Sequence, residues 1–241
     1  MDFSTGSGSE RPTSSGGSGQ RPGGPAPGVS AASGGEFNYR NPVQSFIAAT
    51  RRVLLQPSNF FQGMNRRGDW INPIVFALVW YMIAAVIGGL IGLIFGSFMS
   101  LGSGGAGDQA AGIATSFGSF VVTILLAPIF AALILFVMAG LRHLLVMLIV
   151  GSQNAGFEAT LRVQAYAFAT RIVWWIPILG ALVGFVYGLY LSVVGIREVH
   201  ATTTGKAALV VLIPVAVALL LLAVLAALIG AAVYSLLQQQ M

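Results

Sequence analysis

Few residues in this 241-residue chain are of types that do chemistry. The two histidines, His143 and His200, each stand near an arginine at the edge of an apolar stretch, with no His-Glu-x-x-His or Asp-rich pattern to hold a metal. Ser103 offers a hydroxyl nucleophile in the loop from Leu101 to Gly112, yet that loop has no histidine to activate it. The loop's glycines also lack the preceding strand and following lysine of a phosphate-binding loop. The chain has no cysteine, which closes disulfide, thiolate-metal and cysteine-nucleophile chemistry. No catalytic residue, metal site or cofactor is expected, and the chain reads as non-enzymatic.

What stands out instead is one charge and two sets of small residues in apolar surroundings. Arg171 lies within the stretch Val163 to Ile196, 34 residues in which it is the single charged side chain. Ionisable residues inside membrane segments are functional candidates by default. The plainer reading is snorkelling, because eight residues past Val163 is roughly 12 Å along a helix, within reach of headgroups for an arginine. Gly88, Gly92 and Gly96 repeat every four residues in one apolar segment, and Gly180, Gly184 and Gly188, followed by Ser192, do so in another. Such stripes let helix backbones approach closely, within a subunit or between subunits.

The elements that must carry these residues are membrane helices. Apolar residues make up 56% of the chain and charged residues 8%, which is far from the globular norm. Several stretches reach the about 20 apolar residues needed to cross a hydrocarbon core, and their Gly-rich, non-alternating character argues against a β-barrel. The fold class expected is all-α, a polytopic helix bundle. Its spans are placed at about Pro73 to Phe98, Phe117 to Leu141 with an extension towards Val150, two short helices within Val163 to Ile196, and Ala207 to Leu237. One helix over Val163 to Ile196 would be roughly 51 Å long, well beyond the bilayer core, so a turn is placed near Pro177 to Gly180. That makes five spans in residues 72–241.

Two regions precede them. Residues 1–36 are Gly, Ser and Pro with almost no large apolar side chain, too little to offset the entropy of ordering, and are expected to form a disordered tail. No cleavable signal peptide is expected, because the chain opens on that polar stretch. Residues 37–71 form an interfacial segment: Val43, Phe46, Ile47, Thr50, Val53 and Leu54 recur at helical spacing after the start signal Asn41-Pro42. This amphipathic helix either lies on the bilayer or packs on the protein's own spans. Pro57 to Phe61 break it and bring two aromatics to the headgroup boundary. Arg51, Arg52, Arg66 and Arg67 are placed to meet lipid phosphates.

Orientation follows from charge. With the turn at Pro177, eleven of the twelve Lys and Arg fall on one face, Arg171 being the exception, and the positive-inside rule makes that face cytoplasmic. The N terminus is then inside and the C terminus outside. The formal charge of +5 is spread as singles and pairs, so the expected partner is a bilayer with anionic headgroups rather than nucleic acid.

The block Phe157 to Pro214, FEATLRVQAYAFATRIVWWIPILGALVGFVYGLYLSVVGIREVHATTTGKAALVVLIP, resembles the core of the Yip (Ypt/Rab-interacting protein) membrane family, bacterial-type members in particular. The features carrying the likeness are Tyr166, the Ile-Pro-x-x-Gly turn Ile176 to Gly180, Tyr187 and Tyr190, Gly195, and the basic connection Arg197 to His200 with Lys206. NPVQSF from Asn41 and PSNFF from Pro57 are similar to the family's entry segment, so the likeness spans about Asn41 to Leu237. It implies five spans, a cytoplasmic N terminus and, for eukaryotic members, Rab-type GTPase partners. The acidic Asp-Leu-x-Gly-Pro-type signature of that branch is absent here. The expected function is a membrane-organising or partner-binding scaffold in the bacterial cytoplasmic membrane, with a membrane-protein partner or a homo-oligomer; the alternative is a small-solute or lipid transport component.

Overall fold

The computed structural model describes residues 35–102 and 105–239. The expected tail up to residue 34, Ser103 and Met241 lie outside the described residues. The helices are α1 (Pro42–Leu55), α2 (Pro57–Gln62), α3 (Ile71–Leu101), α4 (Ala106–Ile149), α5 (Phe157–Ala167) with a 3₁₀ continuation (Phe168–Val173), α6 (Leu179–Val199) and α7 (Thr204–Gln239). Among the described residues there is no strand.

Four helices, α3, α4, α6 and α7, are long and apolar enough to cross a membrane. The fifth expected span is different in kind. It is α5 plus the 3₁₀ segment, seventeen residues in all, too short and too polar to count with the others. The larger rise of a 3₁₀ helix lets these residues cover about 28 Å. Every residue from Ala159 to Thr170 is buried, so this element is the centre of the bundle. A helix enclosed by protein on all sides is free of the apolar demand that lipid makes, and its polar residues find partners on its neighbours.

The reversal after it falls where Pro177 was expected to place it. Leu179 N–H donates to the Pro177 carbonyl at 2.7 Å, and the residue between them, Ile178, has φ 62° and ψ −63°. That is a three-residue γ-turn, strained for a β-branched side chain. The following helix α6 runs back along α5, and Gly180 and Gly184 make the fit possible. A Cβ at Gly180 would collide with the Val173 carbonyl, and one at Gly184 with the Trp174 indole and, at 3.1 Å, the Thr170 carbonyl.

The most extensive helix contact is between α3 and α4. The Leu101 to Gly112 stretch, expected to be a loop, is mostly helix: α4 starts at Ala106, with Asp108 favourably placed in its first turn. At 44 residues α4 is about 66 Å long, more than twice the hydrocarbon thickness. Beyond Pro214, α7 is almost wholly exposed, Leu219 to Leu222 all above 60%, an apolar surface suited to lipid.

The interfacial segment packs against this bundle. In α1, Ala49, Thr50 and Val53 are buried while Val43, Ile47 and Leu55 are exposed, so the helix offers apolar surface to both sides. Trp80 Nε1 of α3 donates to Thr50 Oγ1 at 3.1 Å, and the Phe46 ring sits 5.1 Å from that of Trp80. Pro57 ends α1, as expected, because the residue before a proline is pushed out of helical geometry. It also begins α2, whose Phe60 and Phe61 are buried core residues packed on protein, with Phe60 edge-on to Tyr166 at 4.8 Å.

Candidate functional site

The segments before α3, between α4 and α5, and between α6 and α7 meet at one end of the bundle. Gln62 Nε2 donates to Glu198 at 3.0 Å, Arg197 Nη2 donates to Ser58 at 3.3 Å, and Arg66, Arg67, Gln153 and His200 border one cleft of about 440 Å³. Arg66 and Arg67 are exposed there, as are Arg51 and Arg52 on α1, where they line a shallow cleft with Ile47 and Leu55. Of the charges counted in the sequence, Arg66, Arg67 and Arg197 are therefore gathered at this end. This follows from the turn at Pro177, which returns α6 to the side on which α5 began.

Beneath that end lie two polar networks that pattern reading did not reveal. Glu36, the last residue of the expected tail, is buried and forms an ion pair with Arg162 of α5 at 2.7 Å. It also accepts from Asn65 N–H at 2.8 Å and from Tyr166 Oη at 3.4 Å. Arg162 completes its fork with Glu158 at 2.9 Å and the Asp69 carbonyl at 2.9 Å. Burial pushes the Glu36 carboxyl above its usual range, against the pull of the Asn65 amide and Arg162.

In the second network His200 Nδ1 accepts from Ala155 N–H at 3.0 Å, which puts the proton of the neutral ring on Nε2. Nε2 then donates to Thr160 Oγ1 at 3.0 Å, and Thr160 Oγ1 is hydrogen-bonded at 3.0 Å to His143 Nδ1, with the donor set by the His143 tautomer. Burial, followed by the nearby His143 and Arg66, brings the His200 imidazole down to about 4. The histidines are thus structural hydrogen-bonding groups, and among the described residues there is no cluster suited to a metal.

The bundle interior holds a third feature. Arg142 was expected at the end of the second span, whose extension towards Val150 is observed: α4 continues to Ile149 and buries this arginine, 6% exposed, among α4, α5 and α6. Its Nη1 donates to Gln164 Oε1 of α5 and to Ser192 Oγ of α6 at 2.9 Å, while its Nε has no partner. Arg171 lines the same cavity, about 220 Å³ in volume. Its guanidinium lies 4.3 Å from the Tyr81 ring centre, 4.5 Å from Trp174 and 4.7 Å from Phe168, so its charge rests on ring faces within the bundle. The signal for Arg142 was present as LRHLLVMLIV, an apolar run continuing past the charge.

The glycine stripes differ from each other. Gly180, Gly184 and Gly188 all meet the α5 side of the turn, Gly188 by a 3.4 Å approach to Thr170 Oγ1. Of the three stripe glycines in α3, Gly96 alone meets a neighbour, Ser116 of α4 at 2.6 Å from a notional Cβ; Gly88 and Gly92 have open space there and border a cleft of about 390 Å³ facing α4.

No curated protein and no solved structure matches the chain. The family model of the Yip1 domain matches residues 51–225, from α1 to the middle of α7, taking in the aromatic α2, the buried α5 and the Ile176 to Gly180 turn. With that match over most of its length, the chain belongs to the Yip1 domain family of membrane proteins.

Proposed function

We propose that this protein is a non-enzymatic membrane scaffold whose working surface is the basic end of the bundle, facing the cytoplasm, with the C terminus outside. The observation that carries the proposal is the outward side of α1: Val43, Ile47 and Leu55 are exposed beside Arg51 and Arg52 on a helix whose other side is anchored by Phe46, Thr50 and Val53. Apolar side chains flanked by arginines suit the interface of an anionic bilayer, and a firmly anchored helix presents them at a fixed height. A membrane-protein partner, or a second copy of the chain, would meet the bundle from this level. The bacterial cytoplasmic membrane, with its anionic inner leaflet, is the setting that fits.

Copurification from mild detergent tests the reading. A stoichiometric membrane-protein partner or self-association that is lost when Ile47 and Leu55 are both changed to Ser supports it. Solute flux through liposomes containing the protein alone would overturn it in favour of transport. A reporter fused after Met241 that is active only in the cytoplasm would refute the orientation.

A further inference from the structure

The cavity between α4, the α5–3₁₀ element and α6 contains two guanidinium groups and no carboxylate. Elsewhere in the described residues the buried arginine is neutralised: Arg162 is held between Glu36 and Glu158. Arg142 is buried like Arg162, yet its described partners are the uncharged Gln164 and Ser192, and its Nε is unpartnered. The described contacts of Arg171 are all with aromatic faces, which leaves its N–H donors unspent. Two cations sharing one cavity without a carboxylate are stabilised when an anion joins them. Gln164 and Ser192 fix the Arg142 fork in place, and three rings fix the plane of Arg171, so the donors are preorganised for a ligand with several acceptor oxygens.

We propose that this cavity binds a phosphate-bearing anion, with Arg142 and Arg171 supplying the charge and Gln164 and Ser192 orienting the former. A volume of about 220 Å³ admits a phosphate with a small polar substituent. The mouth is bordered by Trp174 and Phe185, 40% and 48% exposed, apolar groups that would lie along acyl chains if the phosphate is that of a lipid. The lipid headgroup and free phosphate share the recognising chemistry, and the experiment separates them. The site is independent of the scaffold reading, since it lies within the bundle and the proposed partner surface is on α1.

The test uses the full-length protein, delipidated in neutral detergent, titrated with a short-chain phosphatidylglycerol, with inorganic phosphate, and with a diacylglycerol of the same chain length. Trp174, stacked on Arg171, is the local reporter, read as the fluorescence difference between the wild type and Trp174→Phe; thermal unfolding is the second readout. Saturable binding of phosphatidylglycerol alone assigns a lipid phosphate, and saturable binding of inorganic phosphate as well assigns the phosphate group itself; both support the site. Affinity should fall at least about tenfold in Arg171→Met, which removes no hydrogen bond and is expected to fold, and in Arg142→Gln. Arg171→Lys should retain part of the binding that Arg171→Met loses. Absence of saturable binding, an equal response to diacylglycerol, or unchanged affinity in Arg171→Met overturns the proposal.

Discussion

Replacing Arg162 by Met tests the most heavily buried electrostatic contact. The guanidinium and the Glu36 carboxylate are 2.7 Å apart with side chains 3% and 5% exposed, whereas Glu158, the other partner, is 28% exposed. Loss of one member of a buried pair costs about 3–5 kcal/mol, because the survivor is left charged and unpaired; the i,i+4 contact with Glu158 adds about 0.3–0.5 kcal/mol. R162M should therefore destabilise the protein by about 3 kcal/mol or more. E36Q should cost less, about 1–2 kcal/mol, since Arg162 keeps Glu158 and the Asp69 carbonyl. The double variant removes both charges and should be more stable than R162M alone, giving a coupling of about 2 kcal/mol. The assay is reversible unfolding in mixed micelles followed by far-UV circular dichroism. A pH arm adds a sign. Burial raises the Glu36 carboxyl above 4.5 in the fold, so the cost of its charge is absent below that pH and grows as pH rises through the folded value. Without Arg162 the folded value rises further, and the R162M deficit should shrink on acidification towards pH 4.5. A deficit below about 1 kcal/mol at neutral pH, or no coupling between the two positions, would refute the reasoning.

Other outcomes follow from the same packing. His200 is held at about 4 against an ordinary value near 6.5, so the stability it contributes is full above pH 6.5 and is lost as pH falls from there towards 4; a flat stability profile over that window, or an unchanged one in His200→Gln, would count against the Ala155 to His143 hydrogen-bond chain. Gly184→Leu should abolish a monodisperse gel-filtration peak because its side chain meets the Trp174 ring, while Gly88→Leu, with open space around it, should leave the peak intact. Ile178→Gly should raise the unfolding midpoint, relieving about 1 kcal/mol of γ-turn strain; a lower midpoint would show that the turn is not under strain.

By itself the sequence determined the solvent, the helical class and most of the element order. Hydropathy and proline placement are local properties, so α3, α4 and α7, the start of α1 at Asn41-Pro42 and the reversal at Pro177 could be read from short windows. The family likeness was legible for the same reason, because Ile176 to Gly180 and the tyrosines of α6 sit within one stretch. Only the tertiary structure decided which polar residues are enclosed. The burial of α5 depends on α3, α4 and α6 surrounding it, and that makes Thr160, Arg162 and Gln164 interior partners. Glu36 looked like the end of a solvated tail until a residue 126 positions away supplied its counter-charge. Arg142 and Arg171 lie 29 positions apart, a separation that carries no local signal, and they share a cavity because two helices and a turn bring them to it. Long-range pairing sets the local dielectric and the partners of each charge, and those quantities are properties of the packed bundle.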